Sequence, residues 1–185
     1  MKDNLLPMHG RIEKSRYRYG QTERKTAGNG FMCAHCHGFV CTESGLSCVH
    51  NRNHCPYCLW SRHLDLYVAG DRLSACKSLM QPIGLTIKHT RKKYGPGRGE
   101  LMLIHSCKEC NNLSINRIAA DDDLQNIFTA FEGSFQIAKA TYDCLESGGI
   151  RLLDEAEAPL VRRQLFGNET RLAEILFQDS LIETV

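Results

Sequence analysis

The sequence predicts an α+β fold in which a small β-rich domain is followed by a helical C-terminal extension. Nine of the ten cysteines lie within residues 31–118, and most of them form Cys-x-x-Cys pairs. The apolar stretches between these pairs are short and partly alternating, which is typical of strands. From Asp121 onward, apolar residues recur at spacings of three and four positions, which is typical of helices.

These patterns divide the chain into three segments. Residues 1–30 are polar and carry seven Lys/Arg against three Asp/Glu, so we expect a basic flexible arm. Residues 31–120 are expected to form the cysteine-rich domain. Residues 121–185 are expected to form the helical extension.

Two hairpins are predicted in the cysteine-rich domain. Residues 38–50, GFVCTESGLSCVH, form two extended pieces around residues 43–46, which would place Cys41 opposite Cys48. Residues 84–107 form a longer hairpin, and its turn contains the sequence GPGRG.

Three helices are predicted in the extension, over residues 121–149, 152–166 and 169–178. One of the aspartates at the start of the first helix can cap it, and the Gly-Gly pair at 148–149 ends it. Cys144 falls in this helix, where we expect it to pack in the core.

Composition bounds the class of protein. The chain is 42% hydrophobic and 24% charged, as in soluble globular proteins, and it has no apolar stretch long enough to span a membrane. Without a recognisable secretory signal, we expect a cytoplasmic, reducing environment, where paired thiols more often bind metal than form disulfides. Residues 1–118 are strongly basic and residues 119–185 strongly acidic, so a polyanion and a protein are both conceivable partners.

The first metal site is predicted from two Cys-x-x-Cys pairs, Cys33 with Cys36 and Cys55 with Cys58. Each tight turn points two sulfurs at one position, and two such turns complete a tetrahedral zinc shell. The eighteen residues between the pairs fall within the range typical of such sites.

A second zinc site is predicted around Cys107 and Cys110, which follow the long hairpin, with Cys76 at its base. His63 is the preferred fourth ligand, and we expect Asp65 to orient its imidazole ring. His54 and, less favourably, His105 are the alternatives. Cys41 and Cys48 could either pack as small apolar side chains or bind a third metal with one of three other histidines: His35, His37 or His50.

Four stretches of the chain carry a family resemblance: RNHCPYC (52–58), CLWSRHLDL (58–66), SACKSLMQPIGL (74–85) and HSCKECNNLSINRIAADD (105–122). Together they resemble the RNHCP-domain family, small bacterial proteins named after the pentapeptide RNHCP, which here spans residues 52–56. The resemblance implies a zinc-binding domain over about residues 31–123, and for the two-zinc, β-rich domain we expect a zinc-ribbon or treble-clef-like fold. The helical tail and the extra Cys41 and Cys48 depart from the compact family pattern.

The basic side chains indicate a non-catalytic module that binds structured RNA, with ribosomal RNA as the leading example. A rigid zinc domain that carries a cationic hairpin tip is suited to phosphate contacts. Trp60 could either anchor the core or stack on a base. The predicted nucleic-acid contacts are Arg52, Arg62, Lys88, Arg91, Lys92, Lys93, Arg98 and Arg117.

Two other functions remain open at the sequence level. One is a protein-interaction adaptor, whose acidic tail would dock through Leu172, Ile175, Leu176 and Phe177. The other is a zinc-stapled nuclease-like enzyme that uses His54 or His63 beside Asn53 and Asp65. The sequence contains no recognised catalytic motif, so no catalytic residue is assigned.

Overall fold

A four-stranded antiparallel sheet organises the part of the chain that the computed structural model describes, residues 30–89 and 99–167. A separate two-stranded hairpin precedes it, and helices follow it, as expected for a mixed α+β fold. The strands are β1 (Gly30–Met32), β2 (Phe39–Cys41), β3 (Ser61–Arg62), β4 (Leu79–Lys88), β5 (Glu100–Cys107) and β6 (Leu113–Arg117).

The predicted long hairpin is the centre of the sheet. Strands β4 and β5 pair from Met80 opposite Cys107 to Lys88 opposite Glu100, and the sheet order is β3-β4-β5-β6. Residues 90–98 between the two strands, which include Arg91, Lys92, Lys93 and Arg98, lie outside the described residues.

The first hairpin differs from the prediction. It is formed by β1 and β2, whereas residues 44–47 form a short helix, α1 (Ser44–Ser47). The reason is the tight turn after Cys33, whose backbone N–H donates to the Gly38 carbonyl and so closes the hairpin earlier. Cys41 ends β2 and Cys48 follows α1 with a left-handed backbone, so the expected pairing of these two cysteines across a hairpin is wrong.

Three longer helices follow the sheet: α2 (Leu124–Gly133), α3 (Lys139–Ser147) and α4 (Ala158–Phe166). Asp123 caps α2 by accepting a hydrogen bond from the backbone N–H of Asn126, at 2.8 Å. In the described residues, no helix has the length and apolar character needed to cross a bilayer.

The single long helix predicted over residues 121–149 is divided into α2 and α3. Gly133 and Ser134 lie at the break, where a 3₁₀ turn replaces the α-helix. Ser134 donates its hydroxyl to the Phe131 carbonyl at 2.6 Å, a local bond that competes with helix continuation. Cys144 lies in α3 but is exposed, so its predicted core position is wrong. The predicted third helix and the arm before Gly30 lie outside the described residues.

One hydrophobic core joins the helices to the sheet. Leu85 and Leu103 are paired across β4 and β5, and both are fully buried. Phe131 from α2 and Val161 from α4 pack in the same cluster. The helical layer therefore packs on the face of the sheet that carries Leu85 and Leu103.

Gly84 lies where the sheet and the helical layer come closest. The register of β4 shifts between Pro82 and Gly84, and Gly84 has φ of +156°. A Cβ atom at this position would lie 2.7 Å from Leu152 and 2.8 Å from Ser134. Only a residue without a side chain fits here.

Candidate metal centres

Four cysteines form the first candidate metal centre. The Sγ atoms of Cys33 and Cys58 are 3.6 Å apart, as are those of Cys36 and Cys55. All four sulfurs lie within 4.8 Å of one another. The two Cys-x-x-Cys turns, which are far apart in sequence, therefore meet at one point.

The turns share a backbone feature that aims their sulfurs. The residue after the second cysteine has a left-handed conformation in all three Cys-x-x-Cys pairs: His37 (φ 60°), Leu59 (φ 61°) and Asn111 (φ 57°). This conformation is unfavourable for a side chain such as leucine. A conformation repeated in three turns at that cost indicates that the turn geometry is needed to direct the thiols.

The sulfur separations fit a metal better than a disulfide. A tetrahedral zinc ion with Zn–S bonds of about 2.3 Å has sulfurs about 3.8 Å apart, whereas a disulfide bond is about 2.05 Å long. The observed 3.6 Å is close to the first value, and all ten cysteines are free.

The second candidate centre consists of the four ligands predicted for it. Cys76 and Cys107 have their sulfurs 3.6 Å apart, and His63 Nδ1 lies 3.2 Å from the sulfur of Cys110. The four ligand atoms again lie within 4.8 Å of one another. The pairing of β3, β4 and β5 brings these positions together, because His63 follows β3, Cys76 precedes β4 and Cys107 ends β5.

Asp65 does not orient His63, contrary to the prediction. Its carboxylate accepts backbone hydrogen bonds from Gly70 and Arg72 instead. The side-chain amide of Asn112 lies 3.0 Å from His63 Nε2. The atom placed nearest the ring is the amide nitrogen, Nδ2; rotating the amide to exchange its two ends would let its oxygen accept the Nε2 proton and leave Nδ1 free to bind metal.

Backbone hydrogen bonds prepare one thiol in each centre for metal binding. Burial acts to raise the pKa of Cys33, but the N–H groups of Cys36 and His35 outweigh it and lower this pKa to about 7. Burial is likewise outweighed at Cys107, where the N–H groups of Cys110 and Glu109 lower the pKa to about 6. Burial raises the pKa of Cys55 to about 11 and also raises that of Cys58, so within the first centre the thiolate, which is the metal-binding form, is favoured at Cys33.

The other predicted histidine ligands lie elsewhere. His54 and His105 are both buried, and neither belongs to a metal group. Burial and the nearby His54 lower the pKa of His105 to about 3, and its Nε2 donates to the Leu59 carbonyl at 2.7 Å. Within the described part of the chain, no group of potential ligands includes Cys41 or Cys48.

A buried ion network beside the metal centres was missed at the sequence level. The Arg52 guanidinium, 4% exposed, donates to Asp121 at 2.6 and 2.7 Å and to Asp122 at 2.9 Å. Asp122 also accepts from His54 Nε2 at 2.8 Å and from the Ala119 N–H at 2.7 Å. The expectation that Arg52 is exposed for nucleic-acid contact is therefore wrong.

The network fixes the ring of His54 as well as its position. Nε2 donates to Asp122, so a neutral ring has its acceptor at Nδ1, which is buried without a hydrogen-bond partner. The run of three aspartates at residues 121–123 was the sequence feature that could have indicated this network, since a buried arginine requires carboxylate partners.

A groove of about 570 Å³ adjoins the second metal centre. Three of the predicted nucleic-acid contacts line it: Arg62, Lys88 and Arg117. All three are exposed, although Arg62 donates to the Lys77 carbonyl and Arg117 pairs with Glu100 at 3.0 Å. The complete lining consists of residues 49–51, 53–54, 62–70 and 112–117, together with Met80, Lys88 and Met102.

Trp60 lies apart from this groove. It is half-buried and stacks on the exposed His35 ring, with centroids 4.1 Å apart and planes inclined by 4°. It therefore combines a packing contact with partial exposure beside the first metal centre.

Two four-ligand cysteine-rich groups on a small antiparallel framework define an α+β protein with the capacity to hold two metal ions. The RNHCP domain model matches residues 28–128, more than half of the chain, and the chain belongs to the RNHCP-domain family. The match contains all eight potential ligands and ends within α2. Comparisons with curated proteins and with solved structures give no match.

Proposed function

We propose that the protein is a non-catalytic, zinc-stabilised module that binds structured RNA, with ribosomal RNA as the leading example, in the cytoplasm. The observation that carries the proposal is that three exposed cations, Arg62, Lys88 and the Glu100-paired Arg117, line a groove beside the second metal centre. Such a groove can follow a phosphate backbone.

Zinc is the metal that suits these ligands best. One centre offers four thiolates and the other offers three thiolates and an imidazole, which are the ligand sets of structural zinc sites. Two Cys-x-x-Cys turns that share one ion also favour a zinc-ribbon-like arrangement for the first centre. Native mass spectrometry of the purified protein tests the metal, and two zinc ions per chain are expected.

Closed ligand shells favour a structural role over catalysis. A catalytic zinc usually has three protein ligands and an open position for water. Each centre here supplies four protein ligands. The metal therefore supports the shape of the domain, and binding is left to the surface around it.

The charges around the groove favour an anionic partner. Asp65 is the acidic residue in the lining, and its oxygens already accept backbone hydrogen bonds. The chain continues from Lys88 into the basic connection between β4 and β5, which carries four further cations in the sequence: Arg91, Lys92, Lys93 and Arg98.

Fluorescence anisotropy with a ribosomal RNA fragment at two salt concentrations tests the proposal. Affinity should fall steeply with salt, because each phosphate contact releases counterions. The double variant Lys88→Glu and Arg117→Glu should bind much more weakly, while Lys139→Glu, an exposed cation on α3, serves as the matched control. Absent or salt-independent binding would contradict the proposal.

A further inference from the structure

We propose that the groove accepts unpaired nucleotides, so that the RNA bound by this protein is a single-stranded loop or bulge rather than a continuous duplex. This inference rests on the proposed function and adds the class of RNA to it. Its support is the chemistry of the groove lining, which suits the faces and edges of bases as well as phosphates.

Apolar side chains from three neighbouring strands line the groove. They are Met80 of β4 and Met102 of β5, which are almost fully buried, and Ile115 of β6, which is half-buried. Phosphate contacts alone do not need an apolar surface, but the face of an unstacked base is apolar and packs well on one. The accessible apolar surface comes from Ile115 and from Leu66 and Val68, which are 46% and 67% exposed and also line the groove, so a base can lie there.

Amide side chains provide hydrogen-bonding groups beside this surface. Asn51, Asn53, Asn112 and Asn116 all line the groove. Asn53 donates to the Asn116 side-chain oxygen at 2.9 Å, and the Asn116 amide in turn lies 2.9 Å from His105 Nδ1. These contacts hold two of the amides in place, and amides match the donor and acceptor pattern of base edges.

A rigid loop forms one wall of the groove. The carboxylates of Asp65 and Asp71 accept hydrogen bonds from six backbone N–H groups between residues 66 and 73. Tyr67, 81% exposed, stands on this loop and lines the groove, where it can stack on a base. A walled groove of about 570 Å³ fits one or two nucleotides, whereas duplex RNA is contacted across broad surfaces.

The test compares three labelled probes with the full-length, zinc-loaded protein by fluorescence anisotropy. The probes are a 12-nucleotide single-stranded RNA, the same strand in a duplex, and polyglutamate as an acidic peptide. We expect the single strand to bind at least tenfold more tightly than the duplex, and polyglutamate to bind negligibly. Equal or tighter binding of the duplex, or binding of polyglutamate alone, would overturn the inference.

Two variants locate the binding in the groove. Tyr67→Ala should weaken single-strand binding by about fivefold or more, because stacking on one base is lost, while duplex binding stays unchanged. Tyr57→Ala removes an exposed tyrosine outside the groove lining and is the matched control. Ile115→Trp should block the groove, and near-ultraviolet circular dichroism checks that it folds.

The outcomes separate this inference from the proposed function. RNA binding that both groove variants leave intact would overturn the inference and leave RNA binding standing. No binding of any RNA would overturn both. Selective loss of single-strand binding in Tyr67→Ala and Ile115→Trp would support both.

Discussion

Removal of the Asp122 side chain should destabilise the protein more than removal of any other acidic side chain in the 121–123 run. Asp122 is fully buried and accepts hydrogen bonds from Arg52, His54 and the backbone of Ala119. The substitution Asp122→Ala leaves all three donors without this acceptor, and none of them is accessible enough for water to replace it fully.

The expected magnitude follows from what remains around Arg52. Breaking a buried ion pair by removing one partner typically costs about 3–5 kcal/mol. Arg52 retains Asp121, whose side chain is 34% exposed, so its charge is not left wholly unpaired. We therefore expect a loss of about 3 kcal/mol in the free energy of unfolding, at the lower end of that range.

Urea unfolding followed by circular dichroism, with zinc in excess, measures this loss. The control is Asp123→Ala, which removes the exposed cap of α2 and should cost about 1 kcal/mol. The double variant Arg52→Met and Asp122→Leu removes both buried charges and should recover part of the stability. The reasoning fails if Asp122→Ala destabilises the protein no more than Asp123→Ala does.

Three further perturbations test other parts of the structure. Chelation of the metals should abolish the near-ultraviolet circular dichroism signal of the folded domain. It should also reduce the helical signal, because short helices such as α2 need the sheet to pack against. Unchanged spectra after verified metal removal would contradict this. Burial lowers the pKa of His105 to about 3, so the unfolded chain binds more protons below its ordinary pKa of 6.5, and stability is lost as pH falls below that value. Between pH 7 and pH 5 the free energy of unfolding of the wild type, measured with urea, should fall by about 2 kcal/mol more than that of His105→Gln. An equal fall in both proteins would refute this prediction. Phe131→Ala should cost about 3–5 kcal/mol in the same assay, whereas the partly exposed Phe135→Ala should cost much less.

The sequence was informative about the metal groups because their geometry is largely local. A Cys-x-x-Cys turn positions two sulfurs whatever the rest of the chain does, and the long hairpin joins Cys76 to Cys107 through strand pairing. Each group therefore needed only one long-range assumption. The choice of His63 over His54 depended on such an assumption, and the geometry places His63 in the group.

Features that depend on tertiary packing were harder to predict. Arg52 resembles any surface arginine in sequence, since its carboxylate partners lie almost seventy positions away. The break between α2 and α3 was also missed, because the apolar spacing continues through Gly133 and Ser134. Side chains that compete with the helix backbone decided the local structure there.

Gly84 links the family domain to the part of the chain that follows it. The family match ends at residue 128, while the atoms that exclude a side chain at Gly84 belong to Ser134 and Leu152. A bulky side chain at this position would require Ser134 and Leu152 to move before an equivalent helical cap could pack against the sheet. The residue aligned with Gly84 therefore offers a simple sequence marker for which relatives can carry such a cap in the same place.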